Sequence, residues 1–197
     1  DACRKLLGQL DAEAVLAVGP GMGRGRLQQN WGASLLKHER PVVLDADGLN
    51  NLADLTDPML ACNHVGPLVL TPHPGEFRRL VGVHHINADP TDHEQRPTAA
   101  AELAAACRAV VVLKGQHTIV TDAKQVYINQ TGNPALATAG SGDILTGAIA
   151  GLIAQGMGPL DAAVLGVHVH GLAADRWAER VGPVGLTAAA LADLLPD

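Results

Sequence analysis

The sequence predicts an α/β domain with a mainly parallel, doubly wound central sheet, and three observations carry that expectation. Short runs rich in β-branched residues alternate with longer amphipathic stretches. Those runs are almost continuously apolar, as expected of parallel strands covered on both faces. Of the 197 residues, 47% are hydrophobic but only 2% aromatic, so the core must be built from Ala, Val, Leu and Ile. Such small side chains allow helices to approach a sheet closely, and the length suits one domain with a substantial core.

The elements follow in order. Strands are expected at Ala14–Val18, Pro41–Asp45, Pro67–Thr71 and Ala109–Lys114, separated by helices at Arg26–His38, Asp47–Ala53, Gly75–Val81 and Thr98–Arg108. His117–Thr121 and Gln125–Ile128 then read as a local hairpin around Asp122-Ala123-Lys124, which breaks the alternation. Helices are expected at Ser141–Gln155, Leu160–Val181 and Thr187–Leu194, and the polar stretch His84–Pro97 reads as a surface loop. The chain opens at Asp1, without methionine, in what reads as a helix over Ala2–Leu10. Residues 1–197 are therefore expected to form a single domain whose N-terminal part lies outside this sequence.

Composition narrows the function classes. Fourteen basic against twenty acidic residues leave a formal charge of −6, with no Lys/Arg cluster, which speaks against nucleic acid or an anionic membrane as partner. Cys3, Cys62 and Cys107 form no CxxC pair and no even-numbered framework, which fits a reducing, cytoplasmic setting. No apolar run reaches the length of a membrane-spanning helix.

In an open parallel sheet, ligands gather beyond the carboxyl ends of the strands. Four such ends carry unusual residues here: Gly19 to Gly25, Asp45 to Asn50, Thr71 to Glu76 and Lys114 to Thr118. The first is a close-approach loop rather than a dinucleotide fingerprint. Counting GxGxxG from Gly19 puts Arg24 at the third glycine position, and counting from Gly21 puts Arg26 there. Asp45 and Asp47 suit either Mg²⁺ or ribose hydroxyls, or equally the cap of the following helix. Two prolines hold His73 extended ahead of Glu76, a pattern that also describes a plain strand-to-helix turn. Lys114 is one of four lysines and ends an apolar strand beside Gly115, as a phosphate contact or a snorkelling terminus would. No Gly-Lys-Ser/Thr occurs, so P-loop chemistry is excluded. Zinc motifs fail as well: His93-Glu94 lacks a second histidine, and His168 and His170, two apart on a helix, read as ordinary helix residues.

The segment Ala139-Gly140-Ser141-Gly142-Asp143 runs straight into an apolar helix and is the leading candidate site. Gly140 and Gly142 can take positive φ or admit a phosphate closely, and the first-turn amides with the helix dipole behind them form an anion site. Asp143 either faces a substrate or acts as an acidic cap. An aspartate here can position a hydroxyl and accept its proton as a phosphoryl group moves.

Five blocks together, VGPGMG (Val18–Gly23), VLDADGLN (Val43–Asn50), LTPHPGE (Leu70–Glu76), VLKGQHT (Val112–Thr118) and GNPALATAGSGDILTG (Gly132–Gly147), resemble the ADP-dependent NAD(P)H-hydrate dehydratases, a branch of the ribokinase-like superfamily. The resemblance covers nearly the whole chain. It implies a ribokinase-like three-layer α/β/α fold, a homo-oligomer, and repair of hydrated NADH or NADPH with ADP (or ATP) as co-substrate and Mg²⁺ on its phosphates. Carried over block by block, Lys114, Gly115, Gln116, His117 and Thr118 would contact the adenine nucleotide together with Gly140, Ser141 and Gly142. Gly21, Gly23, Asp45, Asn50, His73, Glu76 and Asp143 would contact the hydrated dinucleotide, with Asp143 as catalytic base and no protein metal ligand. Two alternatives stand beside this reading: a related kinase for a pyrimidine or thiazole alcohol, and a nucleotide-binding module without turnover.

Overall fold

The computed structural model describes residues 5, 7–55, 63–84 and 86–195. Among the described residues, six strands form one sheet in sequence order: β1 (Leu16–Val18), β2 (Val42–Leu44), β3 (Leu68–Leu70), β4 (Val110–Leu113), β5 (Ile119–Thr121) and β6 (Val126–Ile128). β1 to β4 pair in parallel, whereas β5 pairs antiparallel with both β4 and β6. The expected β5–β6 hairpin forms, and Asp122 Oδ1 holds its turn by accepting from the amides of Lys124 and Gln125 at 2.9 and 2.8 Å. Of the helix expected at Ala2–Leu10, residues 2–4 and 6 lie outside the described residues, Lys5 and Leu7 are helical and residues 8–10 form a turn and bend. Cys3 and Cys62 also lie outside the described residues, whereas Cys107 is buried.

Helices α1 (Arg26–Leu35), α2 (Ala46–Ala53), α3 (Pro74–His84) and α4 (Arg96–Cys107) are the crossovers between the parallel strands. Strand order 1-2-3-4 moves every crossover one step in the same direction, and right-handed connections then put all four helices on one face. The core agrees. Val42, Leu44, Leu68, Leu70, Val111 and Leu113 turn toward Leu49, Phe77, Leu80, Ala99 and Leu103. The intervening Val43, Val69, Val110 and Val112 turn the other way, toward Leu145, Ile149, Ala162 and Val167. That second face is covered not by reversed crossovers, as doubly wound order implies, but by the C-terminal helices α5 (Ser141–Ala154) and α6 (Pro159–Val181). The result is three layers. Helix α7 (Ala188–Leu194) closes a smaller cluster against α6. Among the described residues, no helix is long and apolar enough to cross a membrane.

Register sets the site's position. Val18, Leu44, Leu70 and Val111 stand in one row across the sheet, so the segments that follow them emerge on the same rim. Backbone bonds extend the row beyond the strands: Asp45 N donates to Val18 O, Thr71 N to Leu44 O, and Lys114 N to Pro72 O, at 2.9–3.0 Å. The expected convergence of four strand ends is therefore present. The stretch 84–97 differs in part from a uniform surface loop. Helix α3 runs on to His84, and Arg96 at the start of α4 is buried.

Candidate active site

The centre of the rim is the entry of α5. Gly140 is its N-cap at φ 84°, a left-handed conformation that glycine adopts without a Cβ penalty, and no side chain caps the turn. Ser141 N donates to Thr138 O at 3.3 Å, and Ser141 Oγ to Leu136 O at 2.7 Å, which anchors the turn from below. The amides of Gly142 and Asp143 have no partner among the described residues, and the Asp143 carboxylate is exposed. A pair of first-turn donors without protein partners among the described residues, at the positive end of a helix dipole, is an anion-binding arrangement.

Gly142 has helical φ, unlike the positive value the sequence allowed, and its role is close approach. A Cβ there would lie 3.3 Å from Lys114 Nζ and 3.5 Å from Asp45 Oδ2. Lys114 Nζ donates to Asp45 Oδ1 at 2.6 Å and stands 3.9 Å from Glu76 Oε2. The Lys114 side chain is 20% exposed against 2% for Asp45, so the ammonium can still be reached from the rim. Asp45 is the backbone N-cap of α2, yet its side chain does not cap it. Its second oxygen accepts from Thr146 Oγ1 at 2.9 Å. One buried carboxylate thus ties the end of β2 to the end of β4 and to the first turns of α5.

His73 and Glu76 form the shoulder of this cluster. His73 N donates to Glu76 Oε2 at 2.8 Å and Gly75 N to His73 Nδ1 at 2.9 Å, a reciprocal closure resembling a capping box, with Pro74 at the first helical position. The prolines therefore hold a strand-to-helix turn, and the same turn leaves the His73 ring half-exposed beside the buried Glu76 carboxylate. On the far side, Gly23 N donates to Asp47 Oδ2 at 2.9 Å, and Asn51 Nδ2 donates to Gly23 O at 2.9 Å. The glycine loop is thereby held to α2, with Gly21 exposed at φ 67°. Asn50 Oδ1 accepts from Arg79 at 2.8 Å and so bridges α2 to α3. Gln116 and His117 are exposed, and Thr118 Oγ1 donates to Gly115 O at 2.9 Å.

Four residues at the site escaped the sequence reading. Thr146 lies one helical turn beyond Gly142, on the same face, and that i, i+4 spacing was the available signal. His170 on α6 is buried with Nε2 2.9 Å from Ser141 O, and burial lowers its pKa from 6.5. It is thus more than an ordinary helix residue. Asp175 accepts from Gly132 N and Asn133 Nδ2 at 2.8 and 2.9 Å, fastening the segment before α5 to α6. Arg96 lies beneath Gly115. For the last three no local pattern existed, because their partners come from distant segments.

Comparison with known proteins places the chain in a family. The family described as NAD(P)H-hydrate dehydratase matches residues 2–197. The bifunctional NAD(P)H-hydrate repair enzyme Nnr of Moorella thermoacetica is 46% identical over 198 residues, covering 100% of this chain but 36% of the relative. The chain thus spans about a third of that curated relative. The crystal structure of the ADP/ATP-dependent NAD(P)H-hydrate dehydratase from Bacillus subtilis, co-crystallised with ATP/Mg²⁺, matches with a TM-score of 0.80 at 35% identity, covering 98% of this chain and 67% of that one. A ribokinase-like superfamily protein of Enterococcus faecalis matches with a TM-score of 0.70 at 26% identity, over 92% of this chain and 61% of that one.

Proposed function

This chain belongs to the NAD(P)H-hydrate dehydratase family, and from that premise we propose that residues 1–197 are a catalytic domain of a protein that removes water from hydrated NADH or NADPH while consuming ADP or ATP. The observation that carries the reading is the open entry of α5. Among the described residues the amides of Gly142 and Asp143 have no partner, a Cβ on Gly142 would lie 3.3 Å from Lys114 Nζ, and the exposed Asp143 carboxylate stands on the same turn.

In this reading the Lys114–Thr118 segment and Gly140–Gly142 receive the adenine nucleotide. Gly21, Gly23 and His73 face the hydrated dinucleotide, while Asp45, Asn50 and Glu76 support that side of the rim through their contacts with the protein. Asp143 accepts the proton of the ring hydroxyl as its oxygen bonds to the terminal phosphorus of the nucleotide and the phosphoanhydride bond breaks. With ADP the leaving group is AMP. The carbon–oxygen bond of the phosphate ester then breaks, inorganic phosphate departs, and loss of a ring proton restores the dihydropyridine. The amides of Gly142 and Asp143 stabilise the charge on the moving phosphoryl group.

Charge balance supports a divalent cation. Asp45 and Glu76 set two carboxylates around the Lys114 ammonium, Asp143 adds a third on the rim, and a nucleotide brings further negative charge. Among the described residues no group of three His, Cys, Asp or Glu side chains is suited to hold a metal. Mg²⁺ needs only one or two carboxylates when phosphates and water supply its other oxygens. With Asp45 and Glu76 buried and engaged by Lys114, Thr146 and His73, it would be carried mainly by the nucleotide's phosphates. When bound it neutralises the phosphates.

The test uses the full-length protein with hydrated NADH, Mg²⁺ and either nucleotide, following recovery of the dihydronicotinamide absorbance and release of inorganic phosphate. Absence of recovery with both ADP and ATP rejects the reading. Asp143→Asn is expected to keep nucleotide affinity and to lose turnover by about 100-fold or more. Near-normal turnover of that variant would place the base elsewhere. We further propose a cytoplasmic homo-oligomer as the working form.

A further inference from the structure

Arg96 has no evident reason to be an arginine if it only fills space at the start of α4. It is 5% exposed, and among the described residues it forms no ion pair with a carboxylate. Its Nη1 donates to Pro90 O at 3.0 Å, its Nη2 donates to Leu113 O at 3.1 Å and reaches Lys114 O at 3.4 Å, and its Nε has no partner among the described residues. A buried cation supported only by carbonyl oxygens is costly, and burial correspondingly lowers its basicity. An apolar side chain of similar length would avoid that cost.

What the guanidinium does touch is informative. Leu113 and Lys114 are the last residues before the loop that ends β4. A Cβ on Gly115 would lie 3.2 and 3.3 Å from the two terminal nitrogens, so the Gly115 backbone rests directly on the planar cation. The loop then turns through His117, at φ 52°, and closes with the Thr118 hydroxyl on Gly115 O. We propose that Arg96 is a positioning residue for nucleotide recognition: its fork orients the carbonyls at the end of β4, and its charge, beneath Gly115, favours an anionic ligand lying on that loop. The inference rests on the reading of Lys114–Thr118 as the nucleotide loop. It accounts for why an uncompensated cation is retained: the phosphates supply counter-charge when they bind.

The experiment measures binding of ADP and, separately, of hydrated NADH to the full-length protein and to its Arg96→Lys and Arg96→Met variants, together with kcat and both KM values. Arg96→Met is expected to weaken ADP binding by about tenfold, the scale of one lost charge-assisted interaction, with kcat at saturating ADP and affinity for hydrated NADH within about twofold of the parent. Arg96→Lys retains the charge without the fork and is expected to recover part of the loss. Unchanged ADP affinity in a folded variant overturns the proposal. So do equal losses for ADP and hydrated NADH, or a failure of both variants to fold, since either assigns Arg96 to the framework alone. If the parent protein itself binds no ADP, the nucleotide reading of the loop fails first, and that result is distinguishable from all of these.

Discussion

Asp45 carries two features that sequence alone treats as alternatives. Its backbone starts α2 as an N-cap would, while its carboxylate turns away to bond the Lys114 ammonium and the Thr146 hydroxyl, 69 and 101 positions distant. Neither a cap bond nor a solvent-facing metal ligand results. Because the carboxylate is buried and charged, removing its charge leaves a mostly buried ammonium without its close partner. Asp45→Asn is therefore expected to destabilise the fold by about 2–4 kcal/mol, read as a shift in the midpoint of urea denaturation. A loss under about 0.5 kcal/mol would show that Lys114 finds an equivalent partner, for which Glu76 at 3.9 Å is the nearest candidate. His73 is a second such case. Its two flanking prolines marked a rigid turn, and the turn is present, but the half-exposed ring is set by contacts with Gly75 and Glu76 three residues away or closer. This part was legible because it is local.

Among the elements, the loop Gly19–Gly25 shows why a glycine-rich segment after a strand need not be a dinucleotide fingerprint. Gly19 has φ 128°, and a Cβ there would overlap the Asp45 carbonyl oxygen, so the end of β1 and the start of α2 share one narrow space. Asp47 and Asn51 then fasten Gly23 to the same helix. Gly19→Ala combines a conformation that side chains rarely adopt with a backbone clash, and about 2–4 kcal/mol of destabilisation is expected. Thermal unfolding checks it; a Tm within about 2 °C of the parent would mean that the loop relaxes without disturbing α2. Strand and helix positions were readable to within a few residues because buried parallel strands need unbroken apolar runs and their crossovers need an apolar stripe. Arg96 was misplaced in a surface loop for the same reason. A charged residue carries no periodic signal that it is buried, and its acceptors belong to β4 and to the preceding segment.

Across the whole molecule, the second helical layer places a buried titratable group, His170, against the entry of α5. His170 reaches from α6 to Ser141 O at the entry of α5, with desolvation first and the nearby Lys114 charge both opposing its protonation, while its bond to the Ser141 carbonyl favours it. Its folded pKa therefore lies below 6.5, whereas the unfolded chain titrates near that value. As pH falls through 6.5 the unfolded state takes up the proton first, so stability is intact above that pH and declines below it. The slope is at most about 1.4 kcal/mol per pH unit for one proton. Denaturation midpoints compared between about pH 7.5 and 5 should show a shallower decline in His170→Gln, whose amide can still donate to Ser141 O. An identical pH slope in the two proteins would remove His170 as its source.

Patterning within the chain was sufficient to write down an α/β sheet, the order of its strands and helices, and the four strand ends where a ligand would gather. Those features depend on runs, periods and turn residues that lie next to one another, and the Ser141-Gly142-Asp143 turn belongs among them. Which groups meet around that turn was decided by the fold. Thr146 meets Asp45, Asp175 meets Gly132 and Asn133, His170 meets Ser141, and Arg96 meets Leu113 only because sheet register and two packed helical layers bring distant segments within about 3 Å. Side-chain hydrogen bonds between distant segments leave no periodic trace in a sequence, since their partners are selected by three-dimensional proximity and the cost of leaving a buried polar group unpaired.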